Sequence, residues 1–314
     1  MNEIAQPHDR LFKALMSHPE TAGAFLQECL PPEVAKLLSP EPPQLVDGTF
    51  VEDHLRLYYS DRLFESKTIT GKPLLLYTLV EHKSHEYEKV AWQLFQGIHA
   101  FMDQKTREDK NWRKLPAVLP LLLYHGAQEW RIPNELMFLV DADEALRPWL
   151  VNFYFPVVDL GPIPNGQLSQ HARLRTGFMA LKYGTRSPQE QMEALEELID
   201  ALLETPELLL TISIYLLTTF PRMTEEHVRL VVRRVKPQEE AEMMSQFAQE
   251  ILAKGKPEWA ALVRQEGEQK GKAETLTRQL QYRFGNLPSW AFEKVSNAKP
   301  AMLEEWSLRI LDAP

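Results

Sequence analysis

LLLYTLVEHKS, residues 74 to 84, decides the architecture. Leu74 to Val80 is an unbroken apolar run one strand long, and a strand apolar on both sides belongs in the middle of a covered sheet. Glu81 and Lys83 follow at its exit, two residues apart, so a strand that persists through them carries both side chains on one face. Upstream, Thr70-Gly71-Lys72-Pro73 signals a turn. Before that turn the pattern alternates, with Leu55, Leu57, Tyr59, Asp61 and Leu63 on one face and Arg56, Tyr58, Ser60 and Arg62 on the other. The two stretches read as a hairpin. With its turn centred near Gly71, Asp61 and Glu81 stand equally far from the turn and face each other on adjacent strands.

Two facing carboxylates repel, and a cation between them removes the penalty. Beside an open, solvated edge such a pair suits magnesium, which keeps several waters and takes further ligands from phosphate oxygens. A metal-bound water is acidified for attack, and a neighbouring lysine orients or deprotonates it and stabilises the charge that builds up. Asp61 and Glu81 as metal ligands, with Lys83 completing the catalytic set, are the equipment of a phosphodiesterase. A Glu-x-Lys at a strand end is also a common surface charge pair. The apolar context weighs against that, because carboxylates flanked by buried strands need a partner or an ion. His82 alternates to the opposite face and falls outside this ligand set.

Working outward, residues 8 to 30 place Leu11, Phe12, Leu15, Met16, Ala22, Phe25 and Leu26 at helical spacing, with His8 or Asp9 as the cap. Pro31, Pro32, Pro40, Pro42 and Pro43 then lead into extended chain. Residues 86 to 104 return to helical spacing through Ala91, Leu94, Phe95, Ile98 and Met102. The polar stretch KTREDKNWRK, residues 105 to 114, precedes a further buried strand, AVLPLLLY, ending at Tyr124, His125 and Gly126. FYFPVVDL, from Phe153 to Leu160, is another β segment.

After Gly166 the chain reads as helical. Ser187, Pro188 and Glu190 make a capping box with proline at the first helical position, and the apolar run after Pro206 reads as a buried helix. Beyond about Glu239 the sequence is polar and helical. Its end carries Leu276, Leu280, Tyr282, Phe284, Trp290, Leu303, Trp306, Leu308 and Ile310, enough for a small helical hairpin or for pairing with a second copy. The division expected is a first domain over 1–235 and a helical tail over 236–314.

Composition narrows the classes. With 44% hydrophobic and 25% charged residues in 314, the bulk of the chain folds, and a single cysteine, Cys29, excludes a disulfide framework and a multi-cysteine zinc site. A net charge of -9 leaves any phosphate contact to local patches. The N-terminus lacks a signal-peptide pattern, and the longest near-apolar run, Leu208 to Phe220, is too short to span a bilayer. A cytoplasmic protein with no membrane partner is expected.

Four ordered segments, PHDRLFKALM (7 to 16), FVEDHLRLYYSDRLF (50 to 64), LLLYTLVEHKS (74 to 84) and LPLLLYHG (119 to 126), resemble the recombination-promoting nuclease (Rpn), or YhgA-like transposase, family. That family is assigned to the PD-(D/E)XK nuclease superfamily. The similarity runs from about Pro7 to about residue 235, and TLTRQLQYRFGNLP in the tail resembles a C-terminal helical module often attached to such proteins. The resemblance implies an α/β fold with a restriction-endonuclease-like core, a mixed central sheet flanked by helices, and a helical C-terminal extension. It further implies magnesium, with manganese able to substitute, and DNA cleavage connected with recombination or mobile elements. Asp61 matches the first acid of the superfamily motif, Glu81 the second and Lys83 the lysine. Many family members carry Gln at the last position, so this chain departs toward the fuller motif.

Supporting residues follow the same resemblance. Asp9 lies in a segment like the family's His-Asp-x-x-Phe-Lys motif, where it reads as an acid approaching the metal or as a plain cap. Gln93, on the helix after the Glu-x-Lys strand, reads as a contact to site or DNA or as part of a solvated face, and His125 as a catalytic or a structural histidine. The basic patch nominated for DNA is Lys105, Arg107, Lys110, Arg113 and Lys114 around Trp112, with Arg229, Arg233, Arg234 and Lys236 as a second cluster. Two other classes stay open. One is an inactive DNA-binding accessory protein of a mobile element; the other is a three-carboxylate, RNase H-like transposase, for which Asp159 is the nearest third acid.

Overall fold

The computed structural model describes residues 7–45, 62–81 and 88–253 and parts of 272–309. The chain divides into two compact units, one comprising Gln6–Thr224 and the other beginning at Glu225.

The first unit opens with α1 (Pro7–Met16), α2 (Pro19–Cys29) and the short α3 (Pro32–Ala35). The helical spacing of residues 8 to 30 is therefore two helices: Pro19 cannot donate a backbone hydrogen bond, so it breaks one helix and starts the next. Then come β1 (Gln44–Leu45), β2 (Arg62–Lys67), β3 (Pro73–Glu81), α4 (Val90–Glu108), β4 (Ala117–Tyr124) and β5 (Val157–Asp159). Four helices close the unit: α5 (Ala172–Tyr183), α6 (Pro188–Glu193), α7 (Leu195–Glu204) and α8 (Leu209–Thr219).

The five strands form one mixed sheet in the order β1-β2-β3-β4-β5. β1 and β2, and β2 and β3, run antiparallel; β3, β4 and β5 run parallel. The parallel step from β3 to β4 needs a crossover, which α4 supplies. Alternation along β3 then serves two cores. Leu76 and its partner Phe64 are fully buried, and Phe64 meets Phe25 of α2 at 6.2 Å, which also packs on Phe12 and Phe178. Leu75 faces the other way, into a cluster with Val90, Ala91, Leu94 and Ile98 of α4 and Leu122 and Tyr124 of β4. This two-sided burial is why Leu74, Leu75 and Leu76 follow one another without a polar residue between them.

The hairpin differs from the expectation in its centre. Pairs run from Lys67↔Pro73 to Arg62↔Thr78, equidistant from Thr70 rather than Gly71. The Thr68 carbonyl accepts from the Gly71 amide, the Thr68 hydroxyl from the Lys72 amide and the Lys72 carbonyl from the Thr68 amide, and Gly71 takes a φ of 77°, a conformation open to glycine. Moving the centre by one residue moves each cross-strand partner by two, which keeps odd-numbered residues of both strands on one face. The second expected β segment is also shorter. Pro156 interrupts it, only Val157–Asp159 pairs with β4, and Phe153 to Phe155 bond instead to Asn134 and Leu136.

Ser187 and Glu190 form the expected capping box at α6, and α8 is the expected buried helix. Among the described residues no single helix is long and apolar enough to cross a membrane; α7 and the segment ending in α8 are bent by 117°.

The second unit contains α9 (Glu225–Val235) and α10 (Glu240–Ala253). This unit takes in α9 from its first residue. Most of the second basic cluster is neutralised here: Arg229 pairs with Glu225 and Glu240, Arg233 with Glu240, and Lys236 with Glu239. Farther on, Ala273, Leu276, Val295, Ala298 and Leu303 share a small core, whereas Tyr282 and Phe284 are exposed.

Candidate active site at the carboxyl ends of the parallel strands

Three parallel strands end in line: Glu81 of β3 is the register partner of Tyr124 of β4, and Tyr124 of Asp159 of β5. In open α/β sheets ligands gather outside such carboxyl ends. Glu81 is thus the last residue of the central strand, as its sequence context requires. Asp61 and Lys83, the other two members of the nominated catalytic set, lie outside the described residues, as does His82. Among the described residues no group of three or more His, Cys, Asp or Glu could hold a metal ion.

Asp159 has another task. Its Oδ2 accepts from the Trp130 amide at 2.8 Å and its Oδ1 from the Gly161 amide at 2.9 Å. Both carboxylate oxygens are tied to backbone, so this acid closes the turns that follow β4 and β5. The third carboxylate of an RNase H-like site would have to be spared from that.

The N-terminal His-Asp pair arrives at the same edge. Helix α1 begins at Pro7, so His8 and Asp9 sit inside its first turn and neither is the cap; an acid there still favours the positive end of the helix dipole. His8 Nδ1 and the Tyr215 hydroxyl of α8 are 2.7 Å apart, across 207 residues of sequence. The His8 ring also packs on the fully buried His125 ring at 4.9 Å between centroids. Tyr215 approaches so closely that a Cβ on Gly184 would stand 2.0 Å from its hydroxyl, so only glycine fits there. Burial holds the Tyr215 phenol protonated well above its ordinary range.

The turn after α5 clamps the end of β4. Thr185 donates to the His125 carbonyl and Arg186 to the Gly126 carbonyl. Nearby, buried Lys182 donates to the Ile163 carbonyl at 2.7 Å and to Asn165 Oδ1 at 3.1 Å, with its pKa lowered mainly by desolvation. Tyr215 has no charged residue in its helix, and the Thr and Ser around it do not single it out, which is why the sequence did not disclose it. His8 carried a signal, as the neighbour of Asp9 in the motif.

α4 separates the other nominated residues. Gln93 is half-buried in its first turn, beside exposed Trp92. Lys105 and Arg107 lie in its last turn, paired with Glu108 at 2.9 Å and Asp103 at 2.6 Å. Lys110, Arg113 and Lys114 are exposed, with no ion pair among the described residues. A helix of 19 residues is about 28 Å long. The crossover therefore puts this basic stretch at the amino end of β4, the far end of the sheet from Glu81.

The family described as "Putative transposase, YhgA-like" matches residues 6–209, from α1 through the whole sheet to the first residue of α8. Recombination-promoting nuclease RpnD of Escherichia coli O157:H7 is 36% identical over 169 residues, 54% of this chain and 64% of that protein. Recombination-promoting nuclease RpnA of Escherichia coli K12 is 34% identical over 173 residues, 55% of this chain and 58% of that protein. A third relative, the inactive recombination-promoting nuclease-like protein RpnE of Escherichia coli K12, is 34% identical over 171 residues, 54% of this chain and 56% of that protein. The chain spans about three fifths of the length of these curated relatives. No solved structure matches it. The family match takes in every strand of the sheet and the helices on both of its faces, and on that extent the chain belongs to the YhgA-like family.

Proposed function

We propose that the first unit is a magnesium-dependent DNA endonuclease that hydrolyses phosphodiester bonds during recombination or the movement of mobile elements. Its core is of the PD-(D/E)XK type, and it works in the cytoplasm. The observation that carries this reading is the position of Glu81, closing the central strand where three parallel strands end together. The order of a β2-β3 hairpin, the α4 crossover and parallel β4 supports it, as do the relatives named recombination-promoting nucleases.

In this reading Asp61 and Glu81 hold the ion. Their oxygen donors suit a hard divalent cation, and the hairpin's observed parity keeps odd-numbered positions of its two strands on one face. The ion supplies an acidified water and neutralises phosphate charge. Lys83 steadies the charge that grows on the phosphate, and Asp9, in the first turn of α1, supports the site. His125 holds the end of β4 in place. The exposed cations Lys110, Arg113 and Lys114 meet the DNA backbone away from the cut, and exposed Tyr282 and Phe284 in the tail pair copies of the chain.

The relative named inactive favours a second reading, an accessory protein that binds DNA without cutting it. Purified protein on supercoiled plasmid separates the two. The nuclease reading expects nicked or linear product with magnesium or manganese and none with chelator. Plasmid retained in a complex yet uncut in every metal would instead support the accessory reading.

A further inference from the structure

Exposing half of a tryptophan ring costs hydrophobic free energy, so a tryptophan held firmly in that state invites an explanation. Trp92 is 49% exposed. Its ring lies 5.7 Å from Phe95, one turn along α4; Phe95 stacks on Phe153 at 6.3 Å and 17°; Phe153 meets Phe155, 1% exposed, at 6.2 Å. Four rings run from core to surface, and Trp92 is the supported outer end.

Its place matters as much as its support. The first turn of α4 lies at the end of the sheet where β3 finishes, because Val90 and Ala91 pack in one cluster with Tyr124, the strand partner of Glu81. Helical spacing gathers Lys89, Trp92, Gln96 and His99 into one stripe, exposed except for half-buried Gln96. The stripe meets no acid until Asp103, in a chain with 44 Asp and Glu against 35 Lys and Arg. A cation, an aromatic face, an amide and an imidazole in a row are the groups that take a phosphate, a base face and base edges. Inside a duplex the base faces cover one another, and only an unpaired base can reach an aromatic side chain. Exposed Glu88 beside Lys89 offsets that lysine, which leaves stacking as the discriminating contact.

We propose that Trp92 is a stacking platform for an unpaired base of the strand entering the Glu81 site, so that the preferred substrate is DNA with single-stranded stretches. The inference rests on the nuclease reading and adds its substrate class. The test uses the whole 314-residue chain carrying Glu81→Ala, which the nuclease reading expects to hold DNA without cutting it, and adds Trp92→Ala or Trp92→Phe. Fluorescence anisotropy is read on one labelled sequence as single strand, as duplex and as duplex with a central unpaired bubble, with thermal melts to confirm folding. Trp92→Ala should weaken single-strand and bubble binding about tenfold and leave duplex binding within about twofold, whereas Trp92→Phe should keep most of the affinity. Unchanged bubble affinity in folded Trp92→Ala, or an equal loss on duplex, overturns the proposal. If the Glu81→Ala parent binds none of the three DNAs and wild-type protein cuts none, the nuclease reading falls and this inference with it. Cleavage of all three at one rate by both wild type and Trp92→Ala overturns the inference alone.

Discussion

At residue scale His8, His125 and Tyr215 form one cluster, joined from α1, the end of β4 and α8. Tyr215→Phe deletes one hydroxyl and its bond to His8, with no change in ring volume. The expected loss is about 1 kcal/mol, read as a lower denaturant midpoint at unchanged slope. Gly184→Ala should cost more, about 2 kcal/mol or above, because its Cβ would collide with that hydroxyl. The two effects are coupled through one oxygen atom, so the Gly184→Ala penalty should shrink when Tyr215 is already Phe. Additive losses in that double-mutant cycle would show that the hydroxyl is not what the glycine accommodates. The place of Glu81 at the end of β3 could be read from sequence because an acid after a seven-residue run with no charge in it has few places to be. Tyr215 could not, because in an apolar helix a tyrosine reads as another core aromatic, and only the fold brings His8 to it.

At the scale of elements, strands and helices announced themselves where burial is periodic. Leu75 and Leu76 are both apolar because each faces a core on its own side of β3, and α4 shows its stripe because one side packs on Leu75, Leu122 and Tyr124. What sequence could not fix was where pairing stops. Pro156 ends one ladder, Pro19 splits one helix, and a tight turn at Thr68 to Lys72 moves the hairpin centre by one residue. The α9-α10 pair supplies a pH prediction. Arg233, by hydrogen bond and charge, and then Arg229 hold the Glu240 carboxyl below the ordinary glutamate value of 4.5. A carboxyl with a depressed folded pKa stabilises the fold above its unfolded pKa, and that contribution disappears as pH falls through the folded value. Wild-type protein should thus lose stability below about pH 4.5 more steeply than Glu240→Gln. Denaturation at pH 6 and pH 3 compares them; equal losses would mean that the cluster contributes nothing.

For the whole molecule, the sheet, the Glu81 end and the His8 cluster all belong to Gln6–Thr224. A chain ending after Thr224 should therefore fold cooperatively and keep metal-dependent cleavage, and light scattering should report whether loss of the remainder changes the oligomeric state. A folded truncation without cleavage would assign part of the chemistry to the second unit. In the proposed nuclease the chemistry sits where β3 ends. Plasmid nicking by Glu81→Ala beside wild type, in magnesium and at matched thermal stability, tests it most directly. Nicking should fall by at least about a hundredfold, because losing a direct ligand costs no less than the roughly 10–100-fold that outer-shell partners cost. A folded Glu81→Ala protein that nicks at the wild-type rate would contradict it.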